Sequence, residues 1–330
     1  MTAPGPFSPE PIEVARSADG TPIAIFEVQP GPADAGAPGA LARESGAVPE
    51  ARGPGAPEGP PLLLVHGATA DHTTWRAVGP GLASSRRVFA MDRRGRGASG
   101  DGPAYAIERE YEDVAAAAEV IAAGAGPERV DVAGHSYGGR CALGGSLRTS
   151  TIRRVVVYEG APVPAGMTYR PPGLVEAVRA ALDRGDGDAA LSTFLAGIVG
   201  MSEAGLEAYR RDPVWPARVR AAHTILREIE AEAGPEASID ALGRAEAPVL
   251  LILGSISRSP FRIGTEALAE TLADATVVTI DGAAHAAHHT HAAEFVAIVE
   301  RFLEDDAAAA GGGRSIWRDL PGPADHEGSV

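Results

Sequence analysis

Six short apolar runs recur along the chain: "LLLVHG" (62–67), "RVFAMD" (87–92), "RVDVAG" (129–134), "IRRVVVYEG" (152–160), "PVLLILG" (248–254) and "ATVVTIDG" (275–282). Each is short, rich in Val, Leu and Ile, and ends in Gly or an acidic residue, which predicts buried strands. Between most of them lie segments with helical spacing, such as "EYEDVAAAAEVIAAG" and "TEALAETLA". This alternation predicts right-handed crossovers and an α/β fold with a mainly parallel sheet covered on both faces. Ligands in such sheets sit at the carboxyl ends of the strands. The loops that follow the six runs are therefore where chemistry is expected.

Other segments break this rhythm. "PIEVARSADG" and "TPIAIFEVQP" form a predicted hairpin with Gly20 in the turn, so residues 1–28 are assigned to the core. Residues 29–60 are dominated by Gly, Ala and Pro without apolar periodicity and read as a flexible insertion. The core resumes over 61–162 and again over 246–305. The interval between these two parts is far longer than one crossover needs. Its segments "GLVEAVRAALDRG", "DAALSTFLAGIVG", "SEAGLEAYRRD" and "VRAAHTILREIEAEAG" are helix-like, so an inserted helical cap is expected over 163–245. The tail, 306–330, reads as flexible, with Ile316, Trp317 and Leu320 as the residues able to dock.

Composition narrows the class of partner. Of the 330 residues 45% are hydrophobic, enough for a sizeable core. The formal net charge of −15 repels phosphate backbones and anionic membrane surfaces, so neither nucleic acid nor membrane is an expected partner. All 29 basic residues are arginine, a bias from which no mechanism follows. Cys141 is the only cysteine, which excludes an intrachain disulfide and a multi-cysteine zinc site. "MTAPGPFSPEP" lacks the pattern of a secretory signal, and no apolar run approaches the roughly 18–20 residues that span a bilayer. A soluble cytoplasmic protein is expected, and a homodimer is compatible with that reading.

The sharpest chemical signal is "VDVAGHSYGGR". Gly134-His135-Ser136-Tyr137-Gly138 fits G-x-S-x-G directly after a predicted strand and before a helix-like segment, the context in which the motif presents a nucleophile. The glycines allow a sharp turn that lifts the Ser136 hydroxyl clear of the sheet, beside a helix N-terminus that favours negative charge. Upstream, "LLLVHGATADHTTW" supplies a His-Gly turn able to aim a backbone N–H at a developing oxyanion. Together the two stretches resemble the α/β-hydrolase superfamily from Pro61 to about Leu303. The resemblance implies that Ala68 and Tyr137 form the oxyanion hole through their backbone N–H groups, with His66 and His135 as structural residues. It also implies that His285, in "TVVTIDGAAHAAHHTHAAEF", is the base that takes the proton of Ser136.

Two patterns compete with this reading and are set aside. His285 and His289 stand i, i+4 in a histidine-rich stretch with His288 and His291. Without an H-E-x-x-H pattern or an acidic ligand, no metal is expected, and the extra histidines read as the exposed or half-buried start of the last helix. "GRGASG" fits G-x-G-x-x-G, but "DGPAY" follows where a dinucleotide site needs a helix. "MDRRGRGASG" instead resembles the loop after the fourth strand of α/β-hydrolases, with Asp92 structural, so no cofactor is expected.

A Ser-His pair needs a third group to hold the imidazole tautomer. Many members of the family carry this acid after the seventh strand. Here "LILGSISRSPFRIG" occupies that place with no Asp or Glu, and the nearest counterpart is Ser257. Asp281 lies in the same turn as His285, and Asp306 lies beyond the last helix. Glu159 ends the predicted sixth strand, 23 residues after Ser136. A subset of the superfamily, haloalkane dehalogenases among them, places its acid after strand six at a similar offset. Those enzymes use an Asp nucleophile, so Ser136 argues against haloalkane and epoxide chemistry. Glu159 is the expected acid.

The resemblance thus implies a serine hydrolase acting on a small carboxylic ester, thioester or lactone through an acyl-enzyme on Ser136. A cofactor-free haloperoxidase, a perhydrolase or a lyase would use the same triad. A ligand-binding or receptor-like protein with a weakly active triad is the alternative from another class. Phe194, Leu195, Ile198, Val199, Met201 and Trp215 are candidates for an apolar pocket, although most are expected to pack the cap. Ser257 and Arg258 are candidates for touching substrate, and Arg258 and Arg262 for holding an anionic group.

Overall fold

The apolar runs pair side by side in the computed structural model, which describes residues 5–31, 59–125, 129–304 and 315–317. The strands are β1 (Glu13–Arg16), β2 (Pro22–Val28), β3 (Leu62–Val65), β4 (Val88–Met91), β5 (Val130–His135), β6 (Ile152–Tyr158), β7 (Val249–Gly254), β8 (Ala275–Ile280) and β9 (Ser315–Trp317). They form one sheet in the order β1-β2-β4-β3-β5-β6-β7-β8-β9. The N-terminal hairpin is antiparallel, turning at Gly20 with φ 84, and β2 meets β4 antiparallel. From β4 to β9 every neighbour is parallel.

Successive strand residues face opposite sides, and both sides are apolar. Leu63, Val65, Val132, Val155, Val157 and Leu251 pack on one face with the helices Ile107–Ala125, Tyr137–Ser146 and Ser259–Thr271. Leu62, Leu64, Ala133, Val156, Leu250 and Ile252 pack on the other with the helix Ala292–Glu304. Covering on both faces explains why the runs are continuously apolar and do not alternate.

The interval between β6 and β7 is helical. Its helices Leu174–Asp183, Gly187–Phe194, Glu203–Tyr209, Trp215–Arg220 and Ile225–Ala231 share an apolar cluster of their own, built on Val178, Leu191, Trp215 and Ile225. Ion pairs link these helices to loops of the core: Arg76 pairs with Asp212 at 2.8 Å and Arg227 with Asp101 at 2.7 Å.

Two local readings need correction. The loop after β7 is shorter than its polar sequence suggested, because Pro260 sits at the start of the helix Ser259–Thr271. Proline there sacrifices no intrahelical hydrogen bond. The histidine stretch forms a separate short helix, Ala287–Thr290, before the last long one. Within the tail, Ser315–Trp317 adds a parallel strand beside β8. Most of the insertion expected over 29–60 and the rest of the tail lie outside the described residues. Among the described residues no helix is long and apolar enough to cross a membrane.

Candidate active site

The carboxyl end of β5 makes a sharp turn at Ser136, whose φ of 55 and ψ of −129 lie where L-residues are strained by about 1–3 kcal/mol. The helix Tyr137–Ser146 starts immediately afterwards. A Cβ on Gly134 would overlap the Gly138 carbonyl, and one on Gly138 would overlap the His66 carbonyl. Both motif glycines are therefore demanded by close backbone approach. The Ser136 N–H donates to the Tyr158 carbonyl at 2.8 Å, which pins the turn to β6.

Two backbone amides flank this serine. Tyr137 is the first helical residue, so its N–H has no carbonyl one turn behind it. The Gly67–Ala68 turn runs against the serine: a Cβ on Gly67 would stand 3.1 Å from Ser136 Cβ. The Ala68 carbonyl accepts from Arg218 Nη2 at 3.0 Å and from Thr69 Oγ1 at 2.7 Å, which holds the Ala68–Thr69 peptide in place.

His285 follows β8 and is buried. Its Nδ1 lies 2.6 Å from Glu159 Oε2. A carboxylate accepts, so Nδ1 carries the proton and Nε2 keeps its lone pair. The ring lies between Phe261, stacked at 4.3 Å between centroids, and His135 at 4.6 Å. Glu159 is itself tightly held, with φ 47 and its N–H donating to the Ile252 carbonyl at 3.1 Å. Its second oxygen, Oε1, accepts from the Gly254 N–H at 2.8 Å and from Ser257 Oγ. Asp281 is turned elsewhere, accepting from Ser255 Oγ at 3.0 Å.

The remaining histidines are structural in their contacts. His66 Nε2 accepts from the Arg93 N–H at 3.0 Å and Nδ1 donates to the Gly67 carbonyl at 2.9 Å. His135 Nε2 donates to the His285 carbonyl at 2.8 Å. Burial, reinforced by neighbouring positive or titratable groups, pushes His66, His135 and His288 well below the usual imidazole range. His289 is lowered to about 4, first by burial and then by Arg76 and Arg218. His288 is buried, not exposed or half-buried as expected, and is tilted against His135 at 4.3 Å and Trp75 at 5.4 Å. Asp92 accepts from the N–H groups of His72 and Ala98, both at 2.8 Å, and so shapes the loop that carries "GRGASG".

Two cavities meet at Ser136, sharing Ala68, Phe194 and Ile198. The larger, about 440 Å³, carries His285, the apolar side chains of Leu195, Val199 and Met201, and a polar end with Arg76 and Arg218. The smaller, about 40 Å³, carries Tyr137, Glu159, Glu228 and Glu232. A hollow of about 700 Å³ under residues 162–170 shares Arg140, Tyr169 and Glu232 with the smaller cavity, but Ser136 does not line it.

Of the substrate candidates, Phe194 lines both cavities at Ser136, while the other three are placed elsewhere. Trp215 is buried in the cap, its Nε1 donating to Asp188 Oδ2 at 2.7 Å. Ser257 turns its hydroxyl onto Glu159. Arg258 reaches into the cap, donating through Nη1 to the Gly197 and Ile198 carbonyls, both at 2.5 Å. Arg262 is exposed and pairs with Glu266 at 3.2 Å. Sequence reasoning missed Glu228, which sits in the amphipathic segment "LREIEAEAG" and reads there as one more solvated glutamate.

A strained serine between a parallel strand and a helix, with a histidine–carboxylate pair on the same sheet edge, defines the α/β-hydrolase class of enzymes. The model of the alpha/beta hydrolase family matches residues 62–298, and the chain belongs to that family. A 2-hydroxymuconate semialdehyde hydrolase of Pseudomonas sp. is 38% identical over 112 residues, a match spanning 33% of this chain and 39% of that relative. A pimeloyl-acyl-carrier-protein methyl ester esterase of Aeromonas hydrophila is 28% identical over 253 residues, covering 74% of this chain and 96% of the relative. The crystal structure of an alpha/beta hydrolase from Sphaerobacter thermophilus superposes with a TM-score of 0.64 at 27% identity, covering 86% of this chain and 99% of that one.

Proposed function

We propose that the protein is a serine hydrolase that cleaves a small carboxylic ester, thioester or lactone through an acyl-enzyme on Ser136. The observation that carries this reading is the 2.6 Å contact of His285 Nδ1 with Glu159 Oε2, on a histidine that shares a cavity with Ser136. Glu159 fixes the tautomer, so the lone pair of His285 Nε2 is available to take the Ser136 proton as Oγ attacks the carbonyl carbon. The N–H groups of Ala68 and Tyr137 hold the oxyanion of the tetrahedral intermediate. Collapse breaks the bond to the leaving group, which takes the proton from His285. Water, deprotonated by the same histidine, then attacks the acyl-serine and releases the acid. The ester hydrolase name of the Aeromonas relative points the same way.

The test is a chain-length series of p-nitrophenyl esters with wild type and Ser136→Ala, alongside labelling by a fluorophosphonate probe. Turnover and stoichiometric labelling of Ser136 in wild type, both lost in the variant, are expected. Folded wild-type protein that neither labels nor turns over any ester would overturn the reading in favour of a binding protein.

A further inference from the structure

The two cavities at Ser136 differ in what they offer a substrate, and the smaller one holds a charged group for which the triad has no use. Glu228 comes from the cap helix Ile225–Ala231 and is 3% exposed. Its Oε1 accepts from Arg93 Nη2 at 2.5 Å and from Arg96 Nη2, which binds cap to core. Its Oε2 is buried and has no hydrogen-bond partner among the described residues, so a ligand's donor reaches it only as the side chains around the smaller cavity shift. The neighbouring Glu110 shows the contrast: Arg93 takes both of its oxygens, at 2.7 and 2.9 Å, and Tyr105 Oη donates to it at 3.0 Å. A buried carboxylate oxygen without a donor is a costly arrangement, and it is relieved when a ligand brings the donor.

The same geometry says which part of the substrate would do so. The leaving group must take its proton from His285, and His285 lines the larger, mostly apolar cavity. The acyl group then falls on the other side of Ser136, in the smaller cavity with Glu228. A water-sized group needs about 10–15 Å³ of such space, so this cavity takes an acyl chain of only a few atoms. Resting on the proposed acyl-enzyme reading, we propose that Glu228 Oε2 is a specificity determinant that accepts a hydrogen bond from a donor on a short acyl chain. The preferred substrates are esters of a small hydroxy or amino acid with a larger apolar alcohol.

Hexyl propanoate, hexyl glycolate and hexyl glycinate place a methyl, a hydroxyl and an ammonium at one position. Their kcat/KM values are compared after division by each ester's rate with hydroxide. Wild type is expected to favour glycolate, glycinate or both over propanoate by roughly tenfold or more, the scale of one polar contact. Which of the two leads tells a hydroxyl from an ammonium. In Glu228→Gln the amide oxygen faces Arg93 and Arg96 and an NH₂ replaces Oε2, so the preference should fall to about twofold or less. If that variant does not fold, Glu228→Asp retains the charge but withdraws the oxygen by one methylene, and it too should lose most of the preference. Wild type that hydrolyses the propanoate as well as both donor esters overturns the proposal, as does a preference that survives in a folded variant. Failure on all three esters with no fluorophosphonate labelling would instead strike at the acyl-enzyme reading itself.

Discussion

The carboxyl ends of β6 and β7 are neighbours, with Tyr158 paired to Ile252, and they contribute differently to holding one carboxylate. The β6 end supplies a carboxylate, Glu159, from a strained backbone position with φ 47. The β7 end supplies no charge, yet it gives Glu159 Oε1 both of its donors, the Gly254 N–H and Ser257 Oγ. A carboxylate at both ends would set like charges together and raise the pKa of one of them. A carboxylate beside a hydroxyl avoids that conflict, with Glu159 Oε1 fixed by two donors and Oε2 aimed at His285. On the proposed mechanism, what matters is where the carboxylate meets the imidazole, whichever strand brings it there.

Substitutions at and around these two strand ends should differ widely in effect. Ser136→Ala removes the proposed nucleophile and should lower kcat/KM for p-nitrophenyl esters by at least about 10⁴-fold. Moving the acid is subtler. The double variant Glu159→Ser, Ser257→Asp returns a carboxylate to the β7 end, and steady-state rates should exceed those of Glu159→Ser alone by roughly tenfold. No recovery would mean that the position of Glu159 is irreplaceable. Ser257→Ala leaves Glu159 with the Gly254 N–H and His285, so turnover should fall only about three- to tenfold. The stability lost in urea should be about 1–3 kcal/mol, the usual cost of a hydrogen bond to a charged group.

A change of pH acts on the buried histidines around the site. His66, His135, His288 and His289 titrate below the usual value in the folded protein, His289 at about 4. Unfolded, each binds its proton near pH 6.5, so between about 4 and 6.5 these four histidines hold more protons in the unfolded chain and outweigh Asp113, which burial raises to about 6 and which works in the opposite sense. Stability therefore falls as the pH drops through that window, by up to about 1.4 kcal/mol per pH unit for each histidine. Urea midpoints at pH 7.5, 6 and 5 should decrease in that order; a flat profile would show that these rings take up protons in place.

Much of the fold was legible because two-sided burial writes itself into sequence as short runs such as "LLLV" and "VLLILG". The order of those runs, with Ser136 after one and His285 after the last, was legible for the same reason. Glu159 stood out only because the β7 loop lacks an acid. Sequence could not say which way the loop's side chains turn, and so Ser257 and Arg258 looked like substrate contacts, whereas one faces Glu159 and the other the cap. Trp215 was misplaced because a large aromatic in a cap helix serves packing and pocket equally well in one dimension. Glu228 left no trace, since its arginine partners lie 135 and 132 residues away in the chain.

The central claim is that Glu159 does the work of the acid missing from the β7 loop, and Glu159→Gln tests it most directly. With the Gly254 N–H and Ser257 holding the amide oxygen, the amide NH₂ would face His285 Nδ1 and force the proton onto Nε2, the wrong tautomer for accepting from Ser136. The account predicts that the acylation rate, read from the pre-steady-state release of p-nitrophenol, falls by about 10³-fold or more while thermal unfolding shows an intact fold. Acylation at close to the wild-type rate in the folded variant would contradict it.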